Sequence, residues 1–140
     1  MSRFDHVPAR TVRFWASLDT AAGGLIATPW GAELFVRFLY WGNGLLGGTA
    51  EAPTFAPVQL LFVCLMGALV SVWVVARWLH PTGLMSVIDA WGRSYIALLL
   101  GWLIVVQNAP AILWLFVFTE GIGGVAQLRA AYCPPRRSAA

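Results

Sequence analysis

The chain has no lysine, and charged residues make up 11% of its 140 positions. An ordinary soluble domain is about a quarter charged. A soluble fold would have to cover its surface with polar groups that this chain lacks. The absence of lysine among the nine basic residues reads as the mark of a GC-rich genome and not of a mechanism. Cysteine is scarce too. Cys64 lies in an apolar run and Cys133 in a polar tail, and no C-x-x-C occurs, which argues against thiol-disulfide chemistry. No apolar h-region follows Met1, because Arg3, Asp5, His6 and Pro8 interrupt it, so the sequence is expected to carry no signal peptide.

What is present is apolar. Hydrophobic residues make up 59% of the chain, with eight Trp and eight Phe, and the mean hydropathy is +0.73. Lipid is the solvent that suits such a surface, and Trp suits the membrane interface. The expected fold is all-α: a polytopic, four-transmembrane-helix bundle with a short N-terminal amphipathic interfacial helix. That short helix is expected over about 8–18, with Thr11, Phe14, Trp15 and Leu18 on one face and Arg10, Arg13 and Ser17 on the other. A helical cap packed on the bundle is the alternative. Ala21-Ala22-Gly23-Gly24 is then expected to loosen the chain. Spans follow at about 29–48, 57–79, 86–106 and 110–128, each near the ~20 residues needed to cross a bilayer. They divide the chain into an N-terminal segment (1–28), a membrane domain (29–128) and a C-terminal tail (129–140).

The arginines order the spans. Arg3, Arg10 and Arg13 precede the first. Arg77 and Arg93 flank the connection between the second and third. Arg129, Arg136 and Arg137 follow the fourth, and the other two loops have none. The positive-inside rule then puts both termini in the cytoplasm, for a multi-pass protein of the cell inner (plasma) membrane. The net charge of +3 sits in the tails and reads as topology, not as a nucleic-acid footprint.

Charges within membrane helices are costly and need partners or a polar cavity. Glu33 precedes Arg37 by four residues, and Asp89 precedes Arg93 by four, the favourable acid-before-base order on a helix. Counted by helical rise, Arg37, Arg93 and Glu120 fall in one layer of the cytoplasmic half, with Glu33 and Asp89 about a turn nearer the cytoplasm. The expected charged layer is Glu33, Arg37, Asp89, Arg93 and Glu120, with Arg77 and His80 at its cytoplasmic rim. It either locks the helices together or lines a pocket for a polar or anionic group, such as a lipid head group or a quinone oxygen. Small-residue pairs four apart, Gly44/Gly48, Gly67/Ser71 and Ala97/Gly101, allow close helix approach within the chain or in a dimer. Glu33-Arg37, Pro57 and Arg77 are echoed by Asp89-Arg93, Pro110 and Arg129, a pattern that chance also produces.

Other chemistry finds no support. His6 and His80 lie outside the apolar runs, which disfavours a haem held by two histidines. No ligand spacing suggests a metal, and Gly121-Ile122-Gly123-Gly124 follows no strand, so it reads as close helix packing beside Glu120. No catalytic set is visible, and an enzyme would need a cofactor from outside this sequence.

The stretch Glu120-Gly121-Ile122-Gly123-Gly124-Val125-Ala126-Gln127-Leu128 is similar to the acid-then-glycine-pair helix of DoxX-like small membrane proteins, and Phe35-Val36-Arg37-Phe38-Leu39-Tyr40-Trp41-Gly42 fits more loosely. The resemblance covers about a third of the chain. It implies a compact four-helix bundle, sometimes a partner of a quinone-linked redox enzyme. In that family the acid belongs to the second helix, whereas Glu120 falls in the fourth span. The expected function is a non-catalytic accessory or scaffold subunit of a membrane complex, contacting the lipid bilayer and a membrane-protein partner or a second copy, with no nucleic acid. The alternative is a lipid-, quinone- or small-molecule-binding, transporter-like protein that uses the charged layer.

Overall fold

The computed structural model describes residues 4–133. Arg3, Arg136 and Arg137, counted above for topology, lie outside the described residues. Five α-helices run in order: α1 (Ala9–Ile26), α2 (Pro29–Leu45), α3 (Pro57–Leu79), α4 (Gly83–Gln107) and α5 (Trp114–Tyr132), with a 3-10 turn at Ala111–Leu113 before α5. Three stretches are long and apolar enough to cross a membrane: Pro57–Leu79, Gly83–Gln107 and Ala111–Tyr132. Their outward faces are apolar, with Val72 67% and Leu98 75% exposed. Such surface suits lipid and not water.

Local chemistry sets the helix ends. Pro57 begins α3, and the Gln59 side chain accepts a hydrogen bond from the Ala56 N–H at 2.9 Å. The Thr82 hydroxyl oxygen accepts from the Met85 N–H at 3.4 Å to start α4. Asn108, at φ 54°, ends α4 in the left-handed conformation that asparagine tolerates.

The sequence expectation and the structure part company before α3. The first expected span, 29–48, stops at Leu45. Gly47 adopts φ 83° and the Gly48 N–H bonds back to the Asn43 carbonyl at 2.9 Å, which closes the helix. The 17 residues of α2 are thus one short turn from spanning: about 26 Å against a core of ~30 Å. The expected short interfacial helix is instead an 18-residue helix, α1, lying along α3. The Ala-Ala-Gly-Gly stretch does not loosen it. Gly23 is buried, and a Cβ there would meet Val70 Cγ1 at 2.8 Å, so the glycine is what lets α1 reach α3. Phe14 and Leu18 face outward, while Val12 and Ala16 face in. The buried stripe is Val12, Ala16 and Gly23, with the half-buried Trp15 beside it.

α1 runs antiparallel to α3. Arg13 lies over the Trp78 ring, Asp19 meets Arg77, Gly23 meets Val70, and the Ile26-Ala27 backbone presses on Gly67. Gly67 is near the midpoint of α3, so the break between α1 and α2 sits at mid-height of the bundle. The break satisfies much of its own backbone. Ala27 N–H reaches Gly23 O, Thr28 N–H reaches Leu25 O, and Thr28 Oγ1 accepts from Gly31 N–H. From there α2 continues towards the 3-10 turn before α5: Phe35 meets Phe116 edge-on, and Asn43 Oδ1 accepts from the Ile112 N–H of that turn.

The helices pack as two close pairs, α1 with α3 and α4 with α5, whereas the backbones of the consecutive helices α3 and α4 scarcely approach. Gly124 makes the second pair possible, because a Cβ there would lie 3.1 Å from the Ala90 carbonyl and 2.8 Å from Ser94 Oγ. At one end of the bundle both ends of the described chain meet. Phe4 packs edge-on with Tyr132, His6 Nε2 lies 3.2 Å from Ala130 O, and Val7 shares a small core with Val87 and Ala131.

Gly67→Leu is expected to destabilise the fold by roughly 1–3 kcal/mol or more, because backbone and not a flexible side chain occupies the space. Gly101→Ala, which meets open space, is expected to stay within about 0.5 kcal/mol. Thermal unfolding in detergent compares the two.

Candidate functional site

The two helix pairs are joined by a charged network in the half of the bundle nearer the chain ends. Asp89, on α4, is its centre. Its Oδ1 accepts from Trp73 Nε1 at 2.9 Å and lies 2.9 Å from Arg77 Nη1; its Oδ2 accepts from Arg93 Nε at 2.9 Å and Gln127 Nε2 at 2.8 Å. One carboxylate thus ties α3, α4 and α5. Arg93 reaches it across one helical turn and uses its remaining arms on other helices: Nη1 to Glu120 Oε2 at 3.0 Å, and Nη2 to Asp19 and to the Trp15 carbonyl. Asp19 also takes Arg77 Nη2 at 2.6 Å. Ser86 Oγ donates to Gln127 Oε1 at 3.0 Å, which fixes the amide so that its N–H₂ points at Asp89.

Helix geometry explains why these side chains converge. Asp89 and Arg93 are one turn apart on the face of α4 that α5 covers. Gly123 leaves room for the Arg93 stem: a Cβ there would lie 3.1 Å from Arg93 Cδ and 3.0 Å from the Trp15 ring. The Arg93 guanidinium lies over the Trp15 ring at 5.3 Å, and that of Arg77 over Trp73 at 5.5 Å. Arg77 is 1% exposed. Its Nη1 is near Asp89 but off the hydrogen-bonding direction, and Nε has no hydrogen-bond partner among the described residues.

Beside the network, between the helix pairs, lies a cavity of about 390 Å³. Val70, Ile88 and Ile96 form apolar walls, and Asp19, Asp89, Arg93 and Glu120 form a polar side. Among the described residues no group of His, Cys, Asp and Glu could hold a metal ion.

The structure brings together Asp89, Arg93 and Glu120 and adds Arg77 to them. Arg77 is at the centre and not at a rim, because its long side chain turns inward from the end of α3. His80 is exposed at that end. Glu33 and Arg37 do not join the layer. They line a separate cavity of about 220 Å³ with Ala52, Pro53, Thr54 and Phe55, in the half of the bundle where α3 begins. The depth count behind the single layer started the first span at Thr28, whereas Thr28 sits at mid-height, so the α2 residues after it fall in the opposite half. The echo between Glu33-Arg37 and Asp89-Arg93 therefore pairs residues in unlike places. Asp19 and Gln127 were missed. Asp19 lies in a stretch that reads as surface, and a lone acid between Leu18 and Thr20 carries no pairing signal. Gln127, four residues past Gly123 and seven past Glu120, does share their face, a spacing that was there to read.

Asp89→Ala would leave both arginines facing a void and is expected to cost roughly 3–5 kcal/mol. Glu120→Ala, removing one part-exposed partner, is expected to cost less, and Glu51→Ala, exposed in the loop before α3, nothing measurable. The order of the three midpoints in detergent unfolding checks this. Equal midpoints would mean that the network does not hold the pairs together.

Compared with known proteins, the chain matches no described family, no curated protein and no solved structure.

Proposed function

We propose that this protein crosses the inner membrane four times, with both chain ends in the cytoplasm, and binds a small amphipathic molecule in the cavity between its helix pairs. On this reading α1 and α2 together form the first crossing, a helix broken at mid-membrane. Support comes from connectivity. Residues 4–8 lie at the end where α5 finishes, and α3 starts from the other end, so α1 and α2 must carry the chain across whatever thickness α3 crosses. Broken helices are tolerated at that depth where protein packs on the break, and here α3 packs on one side of it at Gly67, with Ala27 and Thr28 half-buried. Arg10, Arg13, Arg77 and Arg129 favour the cytoplasm for the end that holds both termini; Arg37, beyond the break, has Glu33 one turn away.

The observation that carries the binding role is the cavity with its mixed lining. A network that only locked helices together would gain from being fully packed, whereas Asp19 and Glu120 each keep 20% of their side chain exposed. Ionisable groups inside a membrane protein commonly mark a ligand path. A kinship with DoxX-like proteins is part of this proposal and rests on the Glu120–Leu128 stretch, with Phe35–Gly42 as a looser match.

Reporter fusions are expected to place both termini on the cytoplasmic face and loop 49–56 on the other. Termini on opposite faces would reduce the membrane domain to three spans. Purification in gentle detergent, with native mass spectrometry of the eluate, is expected to show the chain without a protein partner and with a retained small molecule. A stoichiometric protein partner and no small molecule would turn the assignment to an accessory subunit.

A further inference from the structure

The charged network is not electrically balanced. Asp19, Asp89 and Glu120 oppose Arg77 and Arg93, three carboxylates against two guanidinium groups, which leaves one negative charge in excess. The excess lies on the cavity side. Asp89 is 6% exposed and has both oxygens engaged, and the buried arginine side chains are 1% and 6% exposed. Asp19 and Glu120 are the exposed members. Each uses one carboxylate oxygen on an arginine: Oδ2 of Asp19 and Oε2 of Glu120. The other two oxygens, Asp19 Oδ1 and Glu120 Oε1, accept no hydrogen bond from the described residues. Both acids sit on the same guanidinium, Asp19 at Nη2 and Glu120 at Nη1 of Arg93, which places them side by side.

Donors are in the opposite condition. All but one of the Arg93 N–H groups reach protein oxygens, the Trp73 N–H is held by Asp89, and the unpartnered Nε of Arg77 lies outside the cavity lining. An anion would meet the excess negative charge, and a quinone carbonyl would find one Arg93 N–H beside two open carboxylate oxygens. The open capacity is for a species that brings N–H donors and positive charge. Away from the polar side, Val70, Ile88 and Ile96 favour an apolar body.

We propose that the cavity between the helix pairs binds an amphipathic organic ammonium ion, with its N–H groups on Asp19 Oδ1 and Glu120 Oε1 and its apolar body along Val70, Ile88 and Ile96. The inference rests on the binding role proposed above and names the ligand class. Bound in this way, the cation balances the excess charge, and it is partly desolvated, where charge-assisted hydrogen bonds are strong.

The test uses the full chain in nanodiscs of zwitterionic lipid, with empty nanodiscs as the partition baseline, and three probes that share one body: 4-phenylbutylamine, 4-phenylbutanol and 4-phenylbutyrate. Calorimetric titration is expected to show saturable binding of the amine at least about tenfold tighter than of either other probe, a difference of about 1.4 kcal/mol. Glu120→Gln is expected to weaken the amine at least tenfold and leave the alcohol unchanged. Ile96→Trp, which fills the cavity and leaves the ion pairs in place, is expected to abolish binding of the amine, and it serves if Glu120→Gln fails to fold. Binding of the acid or the alcohol as tight as the amine would overturn the ligand class and leave the binding role standing. No saturable binding of any probe would overturn both. Amine binding unchanged in the folded variants would place it outside this cavity and overturn the proposal.

Discussion

The Asp89 carboxylate is the constraint on which the rest of the bundle depends. Placing a carboxylate among apolar helices costs several kcal/mol unless its oxygens are fully engaged. Here the engagement comes from Trp73 and Arg77 on α3, Arg93 on its own helix and Gln127 on α5. Because α3 and α4 scarcely touch through their backbones, these side chains and the second arm of Arg93, together with the contact of α1 on α4, align one helix pair against the other. Any displacement of a pair would strand a buried charge, and the penalty for that is steeper than the loss of a few methyl contacts. The network thus confers specificity of arrangement more than net stability, since a well-packed apolar substitute can be equally stable.

The same interaction sets the shape of the cavity. Between the pairs the contacts are made by guanidinium groups and rings, with Gly123 leaving room for Arg93 and the Trp15 ring, and the cavity lies beside them. Within each pair small residues dominate: Gly23 and Gly67 bring α1 onto α3, and Gly124 brings α5 onto α4. Small residues therefore mark the dry contacts, and charged residues mark the contact that keeps a void beside it. The break at Ala27-Thr28 belongs to the first category. It can lie at mid-height because Gly67 lets its backbone approach and because Thr28 supplies a cap from its own side chain.

The sequence by itself determined that the protein is helical and apolar, with three long runs able to cross a membrane, because hydropathy and length are local properties and need no partner. It determined the Asp89-Arg93 pair as well, since a four-residue spacing fixes neighbours on any helix. It also marked Glu120 as an acid needing a cation, though Arg37 and Arg93 were equal candidates. Only the tertiary structure decided between them. Depth along a helix can be counted only from a known starting height, and the starting height of α2 depends on where α1 docks on α3, a contact between residues tens of positions apart. The break displaced Glu33 and Arg37 to the far half and brought Asp19 in their place. Asp19 gave no local signal because its partners, Arg77 and Arg93, are 58 and 74 residues away, and a charge is recognisable as part of a site only once the chain has brought its counter-charges to it.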